Sequence, residues 1–429
     1  MLETLILDNG AYTIKAGVAS NPDSLKHIPN SIVRGKHDRR NLVGDELYNC
    51  QNYSSLYYRL PFEKGMLINW GVEKNVWDRV FSNNVLKIDP TQHNLVLSEP
   101  CFNLPNLQET YDQIVYEEYE FAACYRTIAP RLCLYNDIPS LYGQKQSMAP
   151  DCVVMVDVGY SFTHIVPFID GVPVTSAIRR INIGGKLLTN QLKELVSFRY
   201  YDMMEETYLI NEVKEACCYV SSNAYNDLKT CRQVQYAKQV LRCCMSKFFS
   251  RATGSKNSII QEYVLPDFTK RNKGYILSRD EKENLTSRKA DGTDQILTMN
   301  NERFMIPEIL FNPSDIGMNQ AGIPEAIFQS VEACDPDSQG LLYANVVIVG
   351  GNANLPGFKQ RVQSELRHLV PAEYDVRVAI PENPIDFAWT GAQYLATADS
   401  GARLEPKLVT RKEYLENGSE ACRIKFRSF

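Results

Sequence analysis

The sequence predicts an α/β fold built from two similar halves that face one phosphate-binding cleft. The prediction depends on three stretches, residues 5–15, 153–164 and 346–352, in which an apolar strand runs into small or flexible residues. In the first two, the strand is followed by Asp, one further residue and Gly, and the chain then turns back as a hairpin. Two such hairpins so far apart in the chain indicate two related halves around a common ligand.

These turns have the chemistry of an anion site. Glycine allows positive φ and lets a ligand approach the backbone closely, and consecutive backbone N–H groups at such a turn form a concavity for phosphate. Asp8 and Asp157 are suited to hold a metal ion through water, since hard cations prefer oxygen ligands. A single turn of this kind is also typical of a plain β-hairpin, so the prediction relies on the pair together with Gly350 and Gly351. The motif G-x-x-x-x-G-K-[ST] is missing from the sequence, which excludes a P-loop protein.

The composition is that of a globular protein with more than one domain. The chain has 429 residues, of which 44% are hydrophobic and 23% charged, and this length predicts two or more domains. Its net charge of −5 argues against a general affinity for nucleic acid, so any basic surface is local. The sequence has no apolar run of about eighteen residues, and its N-terminus enters the first strand at once. We therefore expect neither a membrane span nor a secretory signal.

The twelve cysteines predict buried, reduced thiols. Two adjacent pairs, Cys217–Cys218 and Cys243–Cys244, and the lack of any C-x-x-C spacing do not suit zinc. Without a secretory signal, a reducing cytosolic or nuclear location is expected. The thiols then act as small apolar side chains.

The first half has recognisable elements in order. Residues 31–40 are polar and basic and predict a solvated loop. A helix with one apolar face begins near Asn69, which is suited to cap it. Residues 95–97 predict a short buried strand, and 107–119 carry apolar and aromatic residues at helical spacing. A linker is expected at 143–150.

The second half adds two inserts to the repeated pattern. After its hairpin, one helix is predicted from about Leu187 and another across 213–220. A segment between 227 and 262 then carries positive charges with no acidic residue among them, and its apolar residues recur at roughly helical spacing. The positive residues are Lys229, Arg232, Lys238, Arg242, Lys247, Arg251 and Lys256. Two interpretations remain open: a basic amphipathic helix that contacts a partner or DNA through 229–256, and a surface insert that the charges merely keep soluble. Residues 269–294 are polar and predict a second, flexible insert.

The whole chain resembles the actin family. The segments that carry the resemblance are 65–70, 163–167, 302–304, 307–314, 317–318, 322–323, 342–345 and 409–414. They are long, ordered and spread over the full sequence. The resemblance implies the actin-like fold shared with sugar kinases and heat-shock ATPases, in which two similar α/β halves surround a nucleotide cleft. Here a basic insert is added to the second half.

The resemblance also implies a division into four subdomains and a set of site residues. The subdomains are 1–30 with 68–149 and 389–429; 31–67; 150–183 with 310–388; and 184–309, with inserts near 224–260 and 269–294. ATP or ADP is the expected cofactor, and whether magnesium accompanies it stays open. The expected binding residues are Asp8, Asn9, Gly10, Ala11, Lys15, Asp157, Gly159, Tyr160, Ser161, Lys214, Glu215, Gly350 and Gly351, with Asp8 and Asp157 next to a metal through water.

Several departures from the family pattern argue against an enzyme. Ala11 and Tyr12 stand in the first loop where the family has Ser and Gly, and the lost hydroxyl removes one hydrogen bond, about 0.5–1.5 kcal/mol. Tyr160 replaces an Asp that orders metal-bound water, and Asn136 aligns with the glutamine that positions the attacking water. Phosphoryl transfer depends on such positioning, so poor hydrolysis is expected and no catalytic residue is assigned. An alternative for Lys15 is an ion-paired cluster with Asp8 and Asp157 that holds the cleft together without nucleotide.

Other departures separate the chain from filament-forming actins. The loop at 33–43 is shorter than the family's protruding loop, and 219–266 is rebuilt, so the two complementary patches that a filament needs are altered. The stretches 8–12, 157–167, 181–190 and 381–384 resemble a nuclear subfamily of actin-related proteins. That resemblance implies a non-catalytic subunit of a Swr/SRCAP-type remodeller that exchanges the Z-type histone variant into nucleosomes. Its expected partners are a large motor ATPase and a small zinc-finger subunit. The alternative is an autonomous ATP-hydrolysing protein of the cytoskeleton.

Overall fold

The computed structural model describes residues 2–36, 40–143, 150–232, 259–268, 271–278, 295–398 and 403–426. Its strands are β1 Glu3–Asn9, β2 Thr13–Val18, β3 Lys26–Pro29, β4 Ile32–Gly35, β5 Leu42–Val43, β6 Leu56–Arg59, β7 Phe62–Glu63, β8 Met66–Leu67, β9 His93–Glu99, β10 Ala123–Ile128, β11 Cys152–Val158, β12 Thr163–Ile169, β13 Val172–Pro173, β14 Arg179–Ile181, β15 Gln261–Val264, β16 Tyr275–Ile276, β17 Ile296–Met299, β18 Val346–Val349, β19 Val378–Ala379 and β20 Val409–Thr410. Its α-helices are α1 Trp70–Phe81, α2 Pro105–Gln113, α3 Ala129–Cys133, α4 Gly185–Arg199, α5 Thr207–Cys217, α6 Glu302–Glu308, α7 Ile323–Glu332, α8 Pro336–Ala344, α9 Phe358–Leu369, α10 Phe387–Thr397, α11 Arg411–Asn417 and α12 Ser419–Lys425.

Two main sheets share one topology. The first has the order β20-β10-β9-β1-β2-β3, and the second has β13-β12-β11-β18-β19 with β14 also paired to β12. In each, an antiparallel hairpin (β1–β2 or β11–β12) lies beside two successive parallel strands, β9 and β10 or β18 and β19. The central strands are buried on both faces, as expected where helices cover a partly parallel sheet. This confirms the predicted α/β fold with two similar halves.

Two large hydrophobic cores hold the molecule together, and the first contains residues of both sheets. In the first core, Trp77 of α1 and Tyr116 are grouped with β1 and β9. The second core groups buried residues of β11 and β18 with those of helices α4, α7 and α9. Parallel neighbours β1 and β9 end at the same edge, as do β11 and β18, so both hairpin turns lie at the carboxyl edges of their sheets. Ligands of open α/β sheets bind at such edges.

Most predicted elements are present, with small shifts. Asn69 caps α1 by accepting a hydrogen bond from the backbone N–H of Val72 at 3.2 Å. The helix predicted at 107–119 begins at Pro105 and ends in one wider turn, Ile114–Glu118. Nine of the ten cysteines in the described residues are buried, which agrees with their prediction as apolar side chains. Across the described part of the chain, no helix is long and apolar enough to span a membrane.

Two loop predictions are wrong in part. Ile32–Gly35 forms β4 between β5 and β6 because Ile32 and Val33 are buried against the neighbouring strands. Within the insert predicted as flexible at 269–294, Tyr275–Ile276 forms β16 and pairs with β15. Both strands are too short to show a periodic pattern, and pairing with distant segments fixes them.

Some predictions fall on residues outside the described ranges. Of the basic residues in 229–256, Lys229 and Arg232 lie on helical residues 224–232. Of the two predicted inserts, residues 233–258, 269–270 and 279–294 lie outside the described residues, as do 144–149 of the predicted linker. The subdomain boundaries stay predictions.

Candidate phosphate-binding cleft

A cavity of about 470 Å³ lies between the two halves. Both hairpin turns line it, together with the turn after β18 and the start of α4. Every residue that the sequence singled out for nucleotide binding contributes to its wall: Asp8, Asn9, Gly10, Ala11, Lys15, Asp157, Gly159, Tyr160, Ser161, Lys214, Glu215, Gly350 and Gly351. Asn354, Leu355 and Ile385 also line it. The fold therefore assembles these separated segments into one site.

The first hairpin holds an ion pair at its turn. Lys15 Nζ lies 3.1 Å from Asp8 Oδ2, and the two residues are direct partners in the β1–β2 ladder. Ser98 Oγ at the end of β9 donates to Asp8 Oδ1 at 2.6 Å and accepts from the backbone N–H of Asn9 at 2.8 Å. A Cβ on Gly10 would lie 2.6 Å from the Thr13 carbonyl oxygen, so only glycine fits there. The turn is thus fixed from the neighbouring strand.

A buried carboxyl group lies beneath this turn. Glu73 of α1 is fully buried, and its Oε1 accepts from Asn9 Nδ2 at 2.6 Å and from Trp77 Nε1 at 3.1 Å. Asn30 Nδ2 donates to the Gly10 carbonyl oxygen at 3.1 Å and also reaches Glu73. Burial raises the pKa of the Glu73 carboxyl to about 7, against the lowering effect of these hydrogen bonds. Sequence reasoning missed Glu73, although an acidic residue on the apolar face of a helix was the available signal.

The second hairpin rests on the first turn of α4. The backbone N–H of Gly159 donates to the Phe162 carbonyl at 3.0 Å, which closes the turn, and Lys186 N–H donates to the Tyr160 carbonyl at 2.9 Å. Asn352 Nδ2 donates to the Gly159 carbonyl at 2.8 Å, which joins the hairpin to the turn after β18. In that turn Gly350 has φ +95°, and a Cβ there would lie 2.6 Å from the Val158 carbonyl oxygen. Hydrogen bonds therefore join the second hairpin turn, the first turn of α4 and the turn after β18 to one another.

The cleft contains more carboxylate than its lysine neutralises. Burial and the neighbouring Asp8 charge, opposed by Lys15, together raise the pKa of the Asp157 carboxyl to about 6. Within the described ranges, no three Asp, Glu, His or Cys side chains cluster so as to enclose a metal by themselves. Two carboxylates without a third ligand fit a magnesium ion that keeps most of its waters. Backbone amides at both turns fit phosphate oxygens.

Two tyrosines meet where the hairpin turns face each other. The rings of Tyr12 and Tyr160 stack with centroids 4.8 Å apart and planes 27° apart. Asn211 Nδ2 of α5 donates to the Tyr12 hydroxyl oxygen at 3.2 Å. Burial raises the pKa of the Tyr160 hydroxyl to about 12. The two side chains that the sequence singled out as departures from the family pattern thus contact each other across the cleft.

Lys214 and Glu215 of α5 line the cavity, and their polar atoms form hydrogen bonds to neighbouring side chains. Lys214 Nζ donates to Thr189 Oγ1 at 3.0 Å and to Asn211 Oδ1 at 2.9 Å, and burial lowers its pKa. Glu215 Oε1 accepts from Asn211 Nδ2 at 2.7 Å. These bonds hold both side chains in place at the cavity wall.

Asn136, which aligns with the family's water-positioning glutamine, and His164 have different surroundings. Asn136 Nδ2 donates to the Phe387 carbonyl oxygen at 2.7 Å, and its Oδ1 accepts from Thr390 Oγ1 at 3.0 Å, so the side chain is tied to α10. His164 lines the cavity, and its Nε2 is buried with no hydrogen-bond partner among the described residues. Burial and the nearby Arg180 charge lower the pKa of His164 to about 4, so the ring is neutral at pH 7.

Comparison of the sequence with known proteins shows the family to which the chain belongs. The sequence model of the family described as Actin matches residues 1–427, and the chain therefore belongs to the actin family. This confirms the resemblance seen in the sequence and the actin-like fold.

Within the family, the chain is similar to proteins named actin-related protein 6. It is 42% identical to the one from Neurospora crassa, over 99% of this chain and 94% of that protein. It is 38% identical to the one from Drosophila melanogaster, over 96% and 97% of the two chains. A Cryptococcus neoformans protein named actin-like protein ARP6 is 42% identical over 99% of this chain and 84% of its own length. The chain is thus an actin-related protein rather than an actin.

Proposed function

We propose that this actin-related protein is a non-catalytic subunit of a Swr/SRCAP-type chromatin-remodelling complex. In that role it acts in the nucleus as a docking body for the exchange of the Z-type histone variant into nucleosomes. The observation that carries the proposal is the candidate phosphate cleft. Its hairpin turns keep Asp8, Lys15 and Asp157 together, while Tyr160 and Asn136 stand where the family resemblance predicts water-positioning groups. Similarity to proteins named actin-related protein 6 supports the same assignment.

The retained part of the cleft supports nucleotide binding. Asp8, Lys15 and Asp157 remain together at the hairpin turns, and the Gly350–Gly351 turn gives a ligand close access to the backbone. We propose ATP or ADP as the ligand. If magnesium is bound with it, Asp8 and Asp157 would hold the ion through water, and the ion would offset the charge on the phosphates.

The altered part argues against turnover. The neutral Tyr160 hydroxyl is a weaker hydrogen-bond acceptor for metal-bound water than a carboxylate, and its ring is stacked on Tyr12. Asn136 is one methylene shorter than glutamine, and its amide is committed to α10. Because phosphoryl transfer depends on positioned water, both changes slow hydrolysis. The alternative, an autonomous ATPase of the cytoskeleton, has only the retained aspartates and Lys15 in its favour.

Filament formation is also disfavoured by the first half. Strands β4 and β5 are antiparallel neighbours, with Val33 opposite Leu42 and Ile32 opposite Val43. The short connection between them leaves no long projecting loop for a neighbouring subunit. A docking surface for specific partners, a large motor ATPase and a small zinc-finger subunit, therefore replaces self-assembly in this proposal. Contact with nucleosomal DNA is assigned to the basic segment 229–256.

Purification under native conditions tests the assignment. A tagged copy of the chain is expressed in its native cells and isolated from nuclear extract at moderate salt. The proteins that co-purify with it are identified by mass spectrometry. Co-purification of a remodelling ATPase and a zinc-finger protein in fixed stoichiometry is expected. Isolation of the chain alone, or with cytoskeletal motors, would overturn the proposal.

A separate assay tests the absence of turnover. We expect steady-state ATP hydrolysis by the purified chain to stay at background. Hydrolysis well above background that is lost in Asp157→Asn would favour the ATPase alternative.

A further inference from the structure

Contacts also join the two halves outside the residues that line the cavity. The backbone N–H and the Oγ of Ser55 both donate to the Glu206 carboxylate at 3.1 Å. Close by, the rings of Tyr53 and Tyr208 stack with centroids 4.3 Å apart and planes 16° apart. One member of each pair belongs to the small sheet region of the first half, and the other lies at the start of α5. These pairs must separate whenever the cleft opens on this side.

Ser55 adopts an uncommon backbone conformation next to its contact with Glu206. Its φ is +50°, in the left-handed region that residues other than glycine rarely occupy. Such strain persists where surrounding interactions impose it, and it concentrates at sites that move or bind. Here the imposing interaction is the pair of hydrogen bonds to Glu206. Opening the cleft would release this strained turn.

The Tyr12–Tyr160 stack lies at the two hairpin turns themselves, with Tyr12 42% exposed. Both rings line the cavity, and the Tyr12 hydroxyl is joined through Asn211 to Thr189 and Glu215 of the second half. A phosphate held by the backbone amides of both turns would therefore lie beneath this stack. An aromatic pair at this spacing is attractive in itself and leaves no room for water between the rings.

We infer that Tyr12 and Tyr160 form a clasp that retains a nucleoside di- or triphosphate in the cleft. The clasp keeps bulk water from the terminal phosphate and makes release depend on separating the two halves. The Ser55–Glu206 and Tyr53–Tyr208 pairs add to the same barrier. This inference rests on the nucleotide binding proposed above, and it makes the nucleotide a long-lived structural ligand rather than an exchanging one.

Release kinetics test the clasp on the full-length chain. The protein is loaded with N-methylanthraniloyl-ADP or the matching ATP analogue, and release is followed after a chase with unlabelled nucleotide. Tyr160→Ala should release the probe about tenfold faster, because a ring stack and the contacts it supports are of the size that changes a rate by that factor. Tyr12→Phe, which removes only the hydrogen bond to Asn211, should show a smaller increase. Tyr57→Ala removes an exposed tyrosine outside the cleft and should leave release unchanged.

Hydrogen–deuterium exchange on the unliganded chain gives a second, independent test. Tyr160→Ala should speed amide exchange in both hairpin turns, at 10–13 and 159–162, while Tyr57→Ala should not. Unchanged probe release together with unchanged exchange in the two turns would overturn the clasp. Failure of the wild-type chain to load nucleotide, with exchange altered as expected, would instead refute nucleotide binding and keep the clasp as a contact that closes the two halves.

Discussion

Replacing Glu73 by glutamine should stabilise the protein at alkaline pH but not at acidic pH. The carboxyl group is fully buried beneath the first hairpin, and burial raises its pKa from the usual 4.5 to about 7. A raised acid pKa means that folding takes up a proton, so this group's contribution to stability is largest below pH 4.5. That contribution falls as the pH rises through 7.

The size of the effect follows from this difference in pKa. Ionising Glu73 in the folded state at pH 8 costs about 3 kcal/mol, and between pH 5 and pH 8 the cost grows by about 2–3 kcal/mol. Glutamine keeps the Oε1 acceptor for Asn9 and Trp77 and cannot ionise. In the described residues, Glu73 Oε2 and Asn30 Oδ1 are both buried without a hydrogen-bond partner, so an amide in place of Oε2 costs no existing bond.

Thermal unfolding at the two pH values measures this directly. At about 2.1 cal/mol/K per residue, the melting temperature of E73Q relative to wild type should be about 2–3 °C higher at pH 8 than at pH 5. The control is Glu302→Gln, another fully buried carboxylate, which pairs with Arg199 and should destabilise the protein at both pH values. An E73Q difference that is the same at pH 5 and pH 8 would refute the reasoning.

Three further predictions concern other parts of the molecule. Gly350→Ala should lower stability by about 1–3 kcal/mol and abolish nucleotide loading, because φ +95° and the Val158 carbonyl exclude a Cβ; Gly171→Ala, at φ +74° with open space, is the matched control for thermal unfolding. Arg361→Met should lower the free energy of unfolding, measured with denaturant, by about 3–5 kcal/mol, because it leaves the buried Glu308 carboxylate without its cationic partner. A smaller loss would show that water solvates this ion pair well. Charge reversal in the basic segment 229–256, by Lys238→Glu, Arg242→Glu and Lys247→Glu, should weaken nucleosome association in a gel-shift assay at fixed salt. Unchanged binding would show that the segment does not contact nucleosomal DNA.

The sequence was sufficient for the features that depend on neighbouring residues. An apolar strand that ends in Asp-x-Gly predicts each hairpin, and the repetition of this pattern predicts the paired sheets. The cap at Asn69 likewise acts within one turn of its own helix. Because the candidate phosphate site includes these turns, the residues that the turns contribute could be named from the sequence, whereas Lys214 and Glu215 came from the family resemblance.

The features that escaped prediction depend on contacts between distant segments. β4 is a strand because β5 and β6 flank it and bury Ile32 and Val33, although the wider stretch 31–40 is polar and basic. Glu73 acquires its environment from Asn9 and Asn30, which reach it from the first sheet. The Ser55–Glu206 bridge joins residues that are far apart in the chain, and neither has a local signature. Such pairings need the tertiary fold before they can be seen.

The proposal that this chain serves as a docking body rather than an enzyme is tested most directly by histone exchange. A reconstituted remodelling complex is assayed for incorporation of the Z-type variant into nucleosomes with the wild-type chain, without it, and with Asp157→Asn. Omission should abolish exchange, whereas Asp157→Asn, once shown to assemble at wild-type stoichiometry, should exchange at the wild-type rate. Loss of exchange in a fully assembled Asp157→Asn complex would contradict the account and place catalysis in this cleft.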